Sequence, residues 1–158
     1  MRLLIGGSTS KIFHLKEFAS ALTDLGVDCK LVVDTDICKG FPSRKVTDCF
    51  QTRRKFEQLI SEFKPDVILV DRQRHFALAA AKLNIPLVIH LRGNIWKEME
   101  WAKHTLYKSL PKRIVLQIWI YMTRKTFQKS SLIVPICEHL EKIVKQNYTD
   151  KKTGVMYQ

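Results

Sequence analysis

Acidic residues are scarce in this chain. Asp and Glu number 15 against 27 Lys and Arg, a formal net charge of +12 over 158 residues. A surplus of that size implies a partner carrying negative charge: nucleic acid, anionic lipid headgroups or a phosphorylated small molecule. Cysteine is also sparse. Cys29, Cys38, Cys49 and Cys137 form no CxxC pair and share no zinc spacing with histidine. They read as reduced thiols of a cytosolic protein. Long apolar runs are missing as well. The longest, Ile114–Met122, contains Gln117 and is about half the length of a membrane span. Leu3–Ile5 is far too short for the core of a signal peptide. The sequence has no internal repeat, no low-complexity tract, no GxSxG, no HExxH and no cysteine in a known catalytic signature, which removes the commonest hydrolase constellations.

What remains is ordinary in bulk, with 46% hydrophobic and 27% charged residues. The length suits one domain able to bury a core unaided. Short β-rich runs alternate with amphipathic segments. Arg2–Ile5, Cys29–Asp34, Asp66–Asp71, Leu87–Leu91, Leu132–Ile136 and, weakly, Gly154–Tyr157 read as strands. Three of them are apolar nearly throughout, as strands covered on both faces are. Helices are expected over Ile12–Leu25, Thr52–Phe63, Arg74–Asn84, Ile95–Ser109, Lys112–Lys129 and Glu138–Tyr148. Ser10 can cap the first, Gly26 ends it, and Pro111 separates the fourth from the fifth. The alternation predicts a Rossmann-like, doubly wound parallel α/β sheet. Ligands of such folds bind at the carboxyl ends of the strands. Here those ends are the loops Gly6–Lys11, Asp34–Gly40, Asp71–His75, Arg92–Trp96 and Cys137–His139.

Each loop has two readings. Gly6-Gly7-Ser8 can bring backbone N–H groups and a helix N-terminus to an anion, or can simply be a turn with Ser10 as cap. In "DRQRH", Arg72, Arg74 and His75 can clamp a phosphate, or form a solvated turn with Asp71 as helix cap. His90 alternates with apolar residues and reads first as a packed histidine. Arg92-Gly93 falls just past that strand, followed by Trp96, Glu98 and Trp101. Downstream, Lys103, Lys108, Lys112 and Arg113 are interleaved with Trp101, Tyr107, Trp119 and Tyr121. That mixture suits an anionic membrane face. It can also contact nucleic acid, or be one buried helix with basic flanks.

Taken in order, six stretches resemble the N-terminal domain of GT-B-fold retaining glycosyltransferases, the group 1 or family 4-like enzymes. They are the "GG" after the first strand, "LTDLGVDCKLVV", "FKPDVILVD", "ALAAAKLNIPLVIHLRG", "SSLIVPICEHLEKIVKQNY" and "KKTGVMYQ". Two departures stand out: Arg92-Gly93 replaces the family's His-Gly, and Cys137 replaces the serine before Glu138. The resemblance implies an acceptor-side domain of a nucleotide-sugar enzyme, with a C-terminal donor lobe outside residues 1–158, no metal, and little activity alone. It places Gly6, Gly7, Ser8, Gly93 and Glu138 along the cleft near the donor diphosphate. Arg72, Arg74, His75 and Trp96 then face the acceptor. His90 and Arg92 are the candidates for the catalytic role. An acceptor that is a lipid-linked phosphate or surface polysaccharide would account for a membrane-facing set of Lys103, Lys108, Lys112 and Arg113 on the cytoplasmic side. The rival readings are a non-catalytic basic module on membrane or, less favoured, nucleic acid, and another GT-B enzyme such as a nucleotide-sugar epimerase.

Overall fold

The computed structural model describes residues 1–37, 46–71 and 75–157. Five strands, β1 (Arg2–Gly7), β2 (Asp28–Val33), β3 (Val67–Val70), β4 (Leu87–Leu91) and β5 (Leu132–Pro135), form one sheet in the order β2-β1-β3-β4-β5. All four pairings are parallel. The helices are α1 (Ile12–Asp24), α2 (Asp34–Ile37), α3 (Val46–Phe63), α4 (His75–Ala80), α5 (Ile95–Thr105), α6 (Leu110–Lys129) and α7 (Glu138–Asn147), with a 3-10 turn at Thr9–Lys11. This is the expected Rossmann-like α/β class.

Strand alternation divides the core in two, because neighbouring side chains point to opposite faces. Leu3, Ile5 and Leu69 meet Leu15 of α1 on one face. Leu4, Ile68, Val70, Ile89 and Leu91 meet Phe56, Phe76, Ala77, Met99 and Phe127 on the other. The small residues Ala77 and Ala80 are fully buried, so α4 lies close against the sheet.

Several boundaries differ from the sequence reading. The opening glycines are not a loop: β1 runs through Gly6 and Gly7. Packing explains them. A Cβ on Gly6 would run into the Phe76 ring, and one on Gly7 into the Leu15 side chain. Ser10 does not cap α1; it lies inside the 3-10 turn, whose N-cap position is Ser8. α3 begins at Val46, six residues earlier than expected, while α4 ends at Ala80, short of Asn84. Asp34–Ile37, expected as loop, makes a helical turn. Pro111 does not lie between helices but within the first turn of α6, where a missing N–H costs nothing. Gly26 does close the first helix, at φ 83°. The weak last strand survives as a segment beside β5: Ile133 N donates to Lys152 O at 3.0 Å and Met156 N to Pro135 O at 2.9 Å.

The α5–α6 pair is an antiparallel hairpin. Trp96, at the start of α5, stacks on Phe127, near the end of α6, with ring centroids 5.7 Å apart. Trp101 shares a groove with Trp119, midway along α6. α5 leaves the carboxyl end of β4, and α6 returns to the amino end of β5. The turn at 106–109 is therefore carried beyond the carboxyl edge of the sheet.

Candidate functional site

Strand order reverses at β1. The chain passes from β1 to β2 on one side and builds β3, β4 and β5 on the other. A crevice opens where such a reversal occurs, beyond the carboxyl ends of the two diverging strands. Asp71, the first residue past β3, is fixed there. Its N–H donates to Gly6 O at 2.9 Å.

The Asp71 side chain, 2% exposed, is the hub of a buried ionic cluster. Val70 pairs with Ile89 across the β3–β4 ladder, so the next residues, Asp71 and His90, lie side by side. His90 Nδ1 donates to Asp71 Oδ1 at 3.1 Å. Arg92, two residues on and hence on the same face, brings Nε to 2.5 Å from the same oxygen. The short contact is an ion pair without hydrogen-bond alignment. Arg92 Nη2 and Asp71 Oδ2 are also buried, and neither has a hydrogen-bond partner among the described residues. A carboxylate thus holds a guanidinium at the switch point and leaves one of its N–H edges uncommitted. Such an edge suits a phosphate or carboxylate oxygen. His90, fully buried, reaches the crevice through Asp71.

The structure distributes the other predicted residues as follows. Gly6 and Gly7 end β1 beside Asp71, and Ser8, buried, follows them with its Oγ 3.1 Å from Ser10 Oγ. Gly93 continues from Arg92. A Cβ there would come within 2.6 Å of Glu98 Oε1, so glycine lets the chain turn against that carboxylate. Asn94 then caps α5, its Oδ1 accepting from Lys97 N at 3.1 Å. Trp96 turns away from the crevice into an aromatic stack with Phe127 and Tyr148. Burial raises the Tyr148 hydroxyl above its usual pKa. Glu138, exposed at the start of α7, accepts a long bond of 3.4 Å from Tyr157 Oη. Arg72 and Arg74 lie outside the described residues, as does the His75 side chain. Lys103, Lys108, Lys112 and Arg113 are all exposed around the hairpin turn.

The sequence reading missed Asp71 as the hub and considered it only as a helix cap, in one of the two readings of its loop. A signal was present: an Asp closing "DVILVD" and an Arg closing "LVIHLR" fall at equivalent places on two adjacent strands. A groove of about 730 Å³ lies elsewhere, at the amino ends of β4 and β5, between Lys82, Pro86, Tyr121 and Lys125. Among the described residues it is lined by no histidine, cysteine or carboxylate. Among the described residues no cluster of His, Cys, Asp and Glu could hold a metal ion, and no helix is long and apolar enough to cross a membrane.

No protein-family model and no curated protein sequence matches this chain. Among solved structures it is similar to "The structure of UDP-GlcNAc 2-epimerase from Methanocaldococcus jannaschii", with a TM-score of 0.63 and 18% identity. The match covers 98% of this chain and 45% of that one, so the chain spans less than half the length of that relative. The likeness establishes a Rossmann-like fold shared with part of a nucleotide-sugar enzyme.

Proposed function

We propose that this chain is the acceptor-side domain of a nucleotide-sugar-dependent glycosyltransferase, acting with a second α/β lobe that binds most of the donor. The observation that carries the reading is the buried Asp71–Arg92 pair at the switch point, beside the Gly6-Gly7 edge of β1. It is supported by the ordered resemblance of six sequence stretches and by the fold shared with a nucleotide-sugar enzyme. In this reading Arg92 meets an anionic oxygen of the diphosphate or of a phosphorylated acceptor and stabilises charge developing there. Asp71 and His90 are positioning residues that fix the guanidinium. Gly93, Glu138 and Ser8 shape the cleft wall, and Arg72, Arg74 and His75 extend its positive lining. The chemistry proceeds without a metal, and the domain alone turns over no substrate.

The test is a titration of the chain with UDP-GlcNAc, with UDP and with a short polyprenyl phosphate, followed by amide NMR. Saturable shifts at Gly7, Arg92 and Gly93, lost in Arg92→Gln, are expected. The absence of any such shift with all three ligands, or steady turnover by the chain alone, contradicts the proposal. An epimerase is the second reading, favoured by the identity of the structural neighbour. In the protein that joins this domain to its second lobe, a glycosylated acceptor marks transfer, whereas an epimeric nucleotide-sugar marks the alternative.

A further inference from the structure

Large apolar side chains are exposed mainly in one place. Of the ten such residues among those described, six lie between positions 101 and 121: Trp101, Leu106, Leu110, Ile114, Ile118 and Tyr121. Leu110, Ile114, Ile118 and Tyr121 follow at intervals of four, four and three along α6, so they form one stripe on its outer side. Leu110 is 77% exposed and Ile114 63%. The opposite side of the helix, with Leu116, Met122, Thr126 and Phe127, is buried. Helix α6 is therefore apolar on both sides over its first half, and its core packing accounts for only one of them. Leu106 sits in the turn before the stripe, and Trp101 (76% exposed) is on the preceding helix.

We propose that this ridge at the α5–α6 turn docks in the headgroup region of an anionic lipid bilayer, with Leu106, Leu110 and Ile114 entering the acyl boundary. Charge complementarity selects the occupant. From residue 101 to 137 the chain holds seven Lys and Arg and no Asp or Glu. Lys103, Lys108, Lys112 and Arg113 surround the apolar tip and are exposed. Aliphatic residues rimmed by cations, with Trp and Tyr at the flanks, match the layered polarity of a membrane interface. A second copy of the chain fits poorly, because a two-fold contact would set this cationic rim against itself. A single-stranded nucleic acid wants aromatic platforms for its bases, whereas the tip of the ridge, Leu106, Leu110 and Ile114, is aliphatic and Trp101 and Tyr121 stand only at its flanks. The inference rests on the hairpin surface alone and does not depend on the sugar-transfer reading.

The experiment is flotation of the chain with phosphatidylcholine vesicles, with or without phosphatidylglycerol, together with tryptophan quenching by lipids brominated along the acyl chain. Binding to the mixed vesicles is expected, with quenching that weakens in Trp101→Phe. Leu110→Ser/Ile114→Ser and Lys112→Glu/Arg113→Glu should each lower partitioning by about tenfold or more. All four sites are exposed, so circular dichroism and the melting temperature should match the parent. No binding to mixed vesicles, or binding by both variants equal to that of the parent, overturns the proposal. So does a dimer of the free chain that Leu110→Ser/Ile114→Ser abolishes, which would give the ridge to a second copy. Tighter binding of an oligonucleotide, lost in Lys112→Glu/Arg113→Glu but kept in Leu110→Ser/Ile114→Ser, would likewise overturn it.

Discussion

Replacing Asp71 by Asn removes one charge from the buried cluster while preserving its shape. The magnitude follows from the surroundings. Asp71 has a side-chain exposure of 2% and serves both Arg92 and His90. Removing one partner from a buried ion pair costs about 3–5 kcal/mol, since the other charge is left uncompensated. Arg92 is 19% exposed and can turn part of its guanidinium to water, so the lower end, about 3 kcal/mol, applies. For a domain of this size that corresponds to a fall in melting temperature of roughly 6–12 °C. Urea unfolding of Asp71→Asn, Arg92→Met and the double variant measures it. The double variant should recover much of the single loss, because both charges go together. The Glu141–Lys145 pair of α7, 3.0 Å apart with its lysine exposed, is the reference: breaking it should cost far less than Asp71→Asn, as ion pairs at a helix surface do. If Asp71→Asn lies within about 0.5 kcal/mol of the parent, as ordinary surface changes do, the cluster is not the anchored element described above.

Gly7→Ala should destabilise by about 1–3 kcal/mol through overpacking against Leu15, and Leu15→Ala should cost less in that background than in the parent, as urea unfolding would show. Gly26→Ala should lose about 1 kcal/mol from backbone strain alone, because at φ 83° its Cβ meets no neighbour; thermal unfolding checks this. Glu141 is held below its ordinary pKa first by the hydrogen bond from Thr153 and then by Lys145. The sign follows: its stabilising contribution is complete above the ordinary carboxylate value and fades as pH falls through the lower folded value. Thr153→Val should bring the Glu141 titration back toward the ordinary value, read by carboxyl carbon NMR.

The sheet was legible because its strands are read by hydrophobicity alone. Leu87–Leu91 matches its sequence boundary residue for residue, and its apolar continuity needs no knowledge of neighbours. Helix ends were harder, since they depend on what the helix packs against. α4 stops at Ala80 although Ala81, Lys82 and Leu83 are adequate helix formers; the chain there turns through bonds from Lys82 N to Ala79 O and Leu83 N to Ala80 O on its way to β4. The glycines of β1 misled for a related reason. Gly6 and Gly7 look like a turn in one dimension, but Phe76, seventy residues downstream, is what occupies the space beside Gly6. The site was half legible: Arg92 stands out past its strand, yet its partner Asp71 is defined only by the β3–β4 register. Pairing across a sheet is a long-range property that local pattern does not encode.

One helix links the two features on which the two proposals rest. α5 has the Arg92-Gly93-Asn94 segment at its amino end and the apolar, basic turn at its carboxyl end. Its 11 residues span about 16 Å. Trp96, stacked on Phe127 and close to Tyr148, fixes it at the base, so the distance between guanidinium and ridge is set by helix geometry. With the ridge at the headgroup level, Arg92 stands no more than about that helical length from the bilayer surface. A phosphate on a lipid anchor lies at that surface, and a small upward displacement or a short saccharide spacer brings its charge to Arg92. A freely soluble acceptor gains nothing from such a fixed separation. Taken together, the two proposals therefore predict an acceptor presented at a membrane surface.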